Sequence, residues 1–75
     1  MMILMTTMQD KNGTALTVGD EIFDARYGWD LRIVQIGQYT DEPTAACRRA
    51  NGNIVAYNAN ELRSVVKKPV ILGVV

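Results

Sequence analysis

This chain has no long uninterrupted apolar run. Turn-forming residues break it about every eight to twelve positions, at Asn12-Gly13, Gly19-Asp20, Gly28, Asp41 to Pro43 and Asn51-Gly52. Short β-prone segments separated by turn chemistry at that interval predict an all-β sandwich or barrel. Strands are expected over 2–8, 14–18, 21–25, 31–39, 44–50, 53–57 and 63–66, with 70–75 as a further candidate.

Three local signals sharpen this. The segment from Leu31 to Tyr39 is the longest β-prone stretch, and its alternation breaks at Ile33-Val34. Such a break predicts a bulge or burial on both faces. Asn51-Gly52 between two β-prone runs predicts a hairpin. Asn58, followed three positions later by Glu61, predicts one capped helical turn that drops Leu62 into the core. The expected core is Leu16, Val18, Ile22, Leu31, Ile33, Ile36, Ala45, Cys47, Val55, Tyr57, Leu62 and Val65.

Seventy-five residues make a single domain, with 48% apolar and 21% charged side chains. A chain of this size buries about 60% of its unfolded surface, which leaves little margin. Small domains often add a disulfide, a metal or a partner. Cys47 is the only cysteine and there is no histidine, so an internal disulfide is impossible and no ordinary zinc set exists. No metal and no cofactor are expected, and oligomerisation remains as the stabilising aid. The lone cysteine fits a reducing compartment. The N-terminal Met-rich run has no basic region before it, and 70–75 is too short to cross a bilayer. The expectation is therefore a cytoplasmic chain without a membrane partner.

The same counts prune catalysis. A Ser-His-Asp or Cys-His arrangement needs a histidine that is absent, and there is neither a P-loop nor a GxGxxG pattern. The chain is expected not to be an enzyme. Eight basic and eight acidic residues give no net charge, so any nucleic-acid surface would have to be a local patch.

Val18-Gly19-Asp20-Glu21-Ile22, Gly28-Trp29, Ile33-Val34-Gln35-Ile36, Ala50-Asn51-Gly52-Asn53, Tyr57 and Asn60-Glu61-Leu62 together resemble the small SH3-like barrels, including KOW and Tudor-like barrels. The resemblance covers about residues 14–66. It implies a five-stranded barrel within a single 1–75 domain, with terminal extensions at 1–10 and 67–75. The skeleton is also similar to the plasmid-type (type II) dihydrofolate reductases, tetramers built around one pore. This similarity suggests a bacterial or mobile-element setting. That family reads substrate with a Val-Gln-Ile-Tyr run, where this chain has Ile54-Val55-Ala56-Tyr57, and its pore lysine has no counterpart here. A pore-type oligomeric reductase is therefore the remotest functional alternative. The KOW pattern wants a glycine where Leu31 stands.

In SH3-like barrels the region holding Tyr27 and Trp29 borders the ligand groove. Aromatic rings there can stack on bases, prolines or methylated amines. They can equally cover the barrel end. Tyr39 is a further candidate contact. Arg48, with Arg32 and Arg63, could form a basic stripe beside Trp29 suited to a phosphate backbone, while Arg49 leans towards the core side or a barrel end. Glu21, Asp24 and Asp30 flank the same loop, and acids beside aromatics suit basic proline-rich peptides instead. Cys47 is expected to be buried and inert. Ile3, Leu4, Val70, Ile71 and Leu72 lie outside the barrel match, and pairing of these ends would give an adhesive ribbon. The functional expectation is a non-enzymatic binding or assembly module, a homo-oligomer acting through protein interaction. Nucleic-acid binding through the aromatic and arginine residues is the alternative.

Overall fold

The computed structural model describes residues 8–39 and 42–69. Met8–Gln9 (β1) and Ala15–Leu16 (β2) pair as a short antiparallel ribbon. Glu21–Asp24 (β3), Trp29–Tyr39 (β4), Glu42–Arg49 (β5), Ile54–Asn58 (β6) and Val65–Lys67 (β7) form an antiparallel sheet in the order β6-β5-β4-β3-β7. One helical turn, Ala59–Leu62 (α1), connects the two edge strands. The chain is all-β, and the arrangement is compatible with an SH3-like fold.

The expected barrel is corrected in one respect, because the sheet stays open. No ladder joins β6 to β7. The reason lies on the outer edge of β7. The Lys11 N–H donates to the Val65 carbonyl at 3.0 Å, and the Lys67 N–H donates to Asp10 Oδ2 at 2.8 Å. The turn after β1 thus takes backbone groups that closure would have needed.

The local signals produce the elements they predict. The β4–β5 register runs Ile33↔Cys47 and then Gln35↔Ala46, so Val34 is the extra residue of a bulge. Gly52 adopts φ 94°, and the Arg49 N–H donates to the Asn53 carbonyl at 2.8 Å to close the hairpin. At α1, Asn58 Oδ1 accepts from the Glu61 N–H, and Glu61 Oε1 accepts from the Asn58 N–H, a reciprocal capping box.

Alternation puts Ile22, Leu31, Ile33, Ala45, Cys47, Tyr57 and Val65 on the inner face, where Leu62, Leu16 and Met8 complete the core. Ile36 and Val55 are only partly buried against it. Val18 departs from the expected core at 54% exposure. It sits in the turn between β2 and β3, closed by the Asp20 N–H on the Thr17 carbonyl and the Thr17 N–H on Asp20 Oδ2. A residue on that turn has no sheet face to bury. Met8 is buried without having been anticipated, as are two acids, Asp10 and Asp24.

Among the described residues no helix is long and apolar enough to cross a membrane. The terminal residues Ile3, Leu4, Val70, Ile71 and Leu72, expected to form an oligomer ribbon, lie outside the described residues.

Candidate functional site

The most organised surface grows from the β3–β4 turn. Residues 25–28 form that turn, and the register Asp24↔Trp29 closes it. Gly28 takes φ 71°, a conformation that other residues adopt only with strain, and its N–H donates to the Asp24 carbonyl at 2.8 Å. The Asp24 side chain holds the turn as well. Its Oδ1 accepts from the Arg26 backbone N–H at 3.0 Å and from Arg26 Nε at 3.1 Å. Its Oδ2 accepts from Arg26 Nη2 at 2.9 Å and from the Tyr57 hydroxyl at 2.6 Å.

This Asp24–Arg26–Tyr57 cluster has the look of acid–base machinery, but its energetics are those of a structural node. Burial alone would raise the Asp24 carboxyl; the hydrogen bonds from Arg26 and Tyr57 outweigh it and hold the group below its ordinary value. Burial and then the bond to Asp24 push the Tyr57 phenol above its ordinary value. One group stays ionised and the other stays protonated near neutrality, so neither exchanges a proton there. Asp24 is fully buried, which also keeps it from a substrate.

What the node positions is an aromatic stack. Tyr27 and Trp29 have ring centroids 4.5 Å apart and planes inclined by 29°. The Arg49 guanidinium lies over the Trp29 ring at 4.0 Å, and the Arg26 guanidinium lies over Tyr27 at 5.1 Å. The ladder Arg26–Tyr27–Trp29–Arg49 therefore alternates cation, two rings, cation. Trp29 packs partly against the core, while Tyr27 is 58% exposed. Arg49 pairs with Leu31 on the inner face and extends past the core to reach Trp29.

Beside the ladder lies an open cleft lined by Glu21, Asp30, Arg32, Arg48, Arg49 and Lys68, together with Leu31 and Ala50. A smaller hollow at Gly28, Trp29 and Asn51 adjoins it through Asp30, Arg49 and Ala50. Arg32 and Arg48 face each other across the β4–β5 register. Glu21, the register partner of Arg32 on β3, forms an ion pair with it. Asp30 Oδ1 pairs with Lys68 Nζ at 3.0 Å, and that hydrogen bond raises the lysine above its ordinary value. Arg48 and Arg49 have no carboxylate partner among the described residues.

Of the residues singled out from sequence, Arg32 and Arg48 line the cleft, Trp29 lines the adjoining hollow, and Tyr27 stacks on Trp29. Arg63 does not join them: it is the exposed C-cap of α1 and lines neither hollow. Tyr39 ends β4 opposite Glu42, and its side chain lies outside the described residues. Sequence reasoning left out Lys68 and Arg26; it placed Arg49 towards the core side or a barrel end without a binding role, and read Asp24 as an acid flanking the loop rather than as the buried anchor of the turn. Arg49 had a visible signal, since it follows Cys47 on the inner face by two positions. Cys47 itself is buried, and burial pushes its thiol up to about 11, which makes it inert near neutral pH. Among the described residues, no three His, Cys, Asp or Glu side chains gather as a metal site.

No family model, curated protein or solved structure matches this chain.

Proposed function

We propose that this chain is a non-enzymatic binding module of SH3-like type that captures an anionic partner at its arginine–aromatic end. The observation that carries the reading is the pair Arg48 and Arg49, adjacent, without a carboxylate partner among the described residues, with Arg49 seated on the Trp29–Tyr27 stack. Surface cations are normally interspersed with acids, and in this chain the two signs are equal in number. A local excess beside rings suits a ligand that presents negative charge together with a flat or apolar group. The resemblance to plasmid-borne barrels supports a bacterial or mobile-element setting, and the lone thiol supports a cytoplasmic one.

The test is fluorescence anisotropy with labelled oligothymidylate and labelled oligoglutamate, on the full chain and on Arg48→Ala/Arg49→Ala. Saturable binding of either probe, lost in the double variant, supports the reading. Absence of binding to both overturns it.

A second reading is protein interaction, including self-association. Phe23 and Val66 are register partners on the outer face of β3 and β7, exposed by 37% and 36%, and Ile54 on edge strand β6 is 54% exposed. Apolar side chains so placed suit contact with a second copy. Sedimentation equilibrium tests it: a discrete oligomer that dissociates in Phe23→Ser/Val66→Ser supports self-association, and a monomer at high concentration removes it.

A further inference from the structure

We infer that the anionic partner is single-stranded nucleic acid, gripped by Arg48 and Arg49, and that Glu21 and Asp30 cap the strength of the grip by occupying Arg32 and Lys68. The inference rests on the binding-module reading above and adds the ligand class and a built-in limit.

Two features favour a nucleic-acid strand over an acidic peptide. The first is the ladder. A peptide carboxylate uses guanidinium charge but has no use for stacked rings, whereas a strand offers phosphate and a base at every residue. The faces of Tyr27 and Trp29 are taken by each other and by Arg26 and Arg49, so the ladder presents guanidinium planes at its two ends, where a base can stack beside the charge that holds a phosphate. The second is shape. The cleft is open to solvent and lined mainly by residues of β3, β4 and β5. That suits an unpaired strand whose bases splay out.

The limit follows from charge pairing. The cleft holds four cations, Arg32, Arg48, Arg49 and Lys68, and two carboxylates, Glu21 and Asp30. Each carboxylate is already bonded to one of the cations, Glu21 to Arg32 and Asp30 to Lys68. A phosphate approaching those cations meets a paired charge and a repelling neighbour. Only two cations remain to displace counterions. For single strands the slope of log affinity against log salt is about −0.7 per phosphate neutralised, so two phosphates give a slope of about −1.4 and four give about −2.8. The wild-type chain therefore binds weakly and is only moderately sensitive to salt.

The experiment measures anisotropy of labelled oligothymidylate across a salt series, on the full chain and on Glu21→Gln, Asp30→Asn and the double variant. Both acids are well exposed, with side chains 48% and 60% accessible, so these isosteric changes leave the fold intact; circular dichroism checks that. The expected result is a slope near −1.4 for the wild type, steepening to about −2.8 in the double variant with tighter binding. Oligothymidylate bound with an unchanged slope in the double variant overturns the limit while leaving the binding module standing. Oligoglutamate bound in preference to oligothymidylate overturns the nucleic-acid assignment and leaves an acidic-peptide module. Absence of binding to both probes, in wild type and double variant alike, removes the module itself.

Discussion

Two polar clusters flank Trp29 and handle charge in opposite ways. On the β3 side, Asp24 is fully buried, and both of its oxygens are hydrogen-bonded, to Arg26 and Tyr57. On the β5 side, Arg48 and Arg49 face an open cleft with no carboxylate partner among the described residues. A buried charge has to be fully paired or the fold loses stability, so complete pairing marks a group that serves the fold. A solvated charge without a partner makes little contribution to folding, so its placement is open to selection for binding. The first cluster shapes the turn, and the second uses what the turn presents.

The largest break in this comparison is Asp24→Leu. It leaves the Tyr57 hydroxyl buried without an acceptor and frees the 25–28 turn from its side-chain anchor. The expected loss is about 3 kcal/mol, the upper range for orphaning a buried donor. A urea melt reads it directly, and Trp29 emission should shift as the stack loosens. A midpoint equal to wild type would mean the node is dispensable.

The same node sets a pH window. Asp24 and Asp10 both sit below the ordinary carboxylate value of 3.8 in the folded chain, because hydrogen bonds outweigh the burial that would raise them. A depressed carboxyl stabilises the fold above its unfolded value and loses that contribution as pH falls through its folded value. Acid unfolding is therefore expected below about pH 4. Tyr57 acts at the other end. Its folded value lies above the ordinary 10.0, so its contribution is complete below that pH and is lost as pH rises beyond it. Asp24→Asn should flatten the acid limb while the part due to Asp10 remains.

Tyr57→Phe is a milder cut. Asp24 keeps Arg26, and the ring keeps its packing. The expected cost is about 1.5–2 kcal/mol, the lower range for a hydrogen bond to a charged acceptor. The variant should also lose the alkaline limb of the pH profile, which separates the hydroxyl from the ring.

Much of the frame was legible because its signals are local. Asn58 and Glu61 are three residues apart, Asn51-Gly52 needs only its own backbone, and the Ile33-Val34 break shows the bulge within one strand. What escaped depends on distance. Asp24 follows Ile22 by two positions, so strand parity already points it inward, but its partner Tyr57 lies 33 residues away. Asp10 reads as an ordinary turn residue until Lys67 arrives from 57 residues on. Val18 looked like core because it is apolar, and only the turn closed by Asp20 turns it out. Barrel closure failed on similar grounds: the competitor for the β7 edge was a turn far away in sequence. In the site, the arginine pair was legible as a pair, and parity separated Arg48 from Arg49. The stack of Arg49 on Trp29 was not, since it requires the β4–β5 register and the exact end of the hairpin.

The smallest stability effects belong to that pair, and they sharpen the contrast most. Arg49 over Trp29 is a cation–π contact between two half-buried side chains, worth about 1 kcal/mol. A double-mutant cycle between Arg49→Ala and Trp29→Leu should return a coupling of that size. Arg48 touches no ring and no carboxylate among the described residues, so Arg48→Ala should change stability by less than about 0.5 kcal/mol. Anion binding should nevertheless weaken in both variants, and by more in Arg49→Ala, which removes a charge and one end of the stack together. A residue whose removal leaves the melt untouched but costs binding has no structural role to explain its position. If Arg48→Ala instead lowers the melt as much as Tyr57→Phe does, the division between a cluster that holds the turn and a cluster that uses it fails.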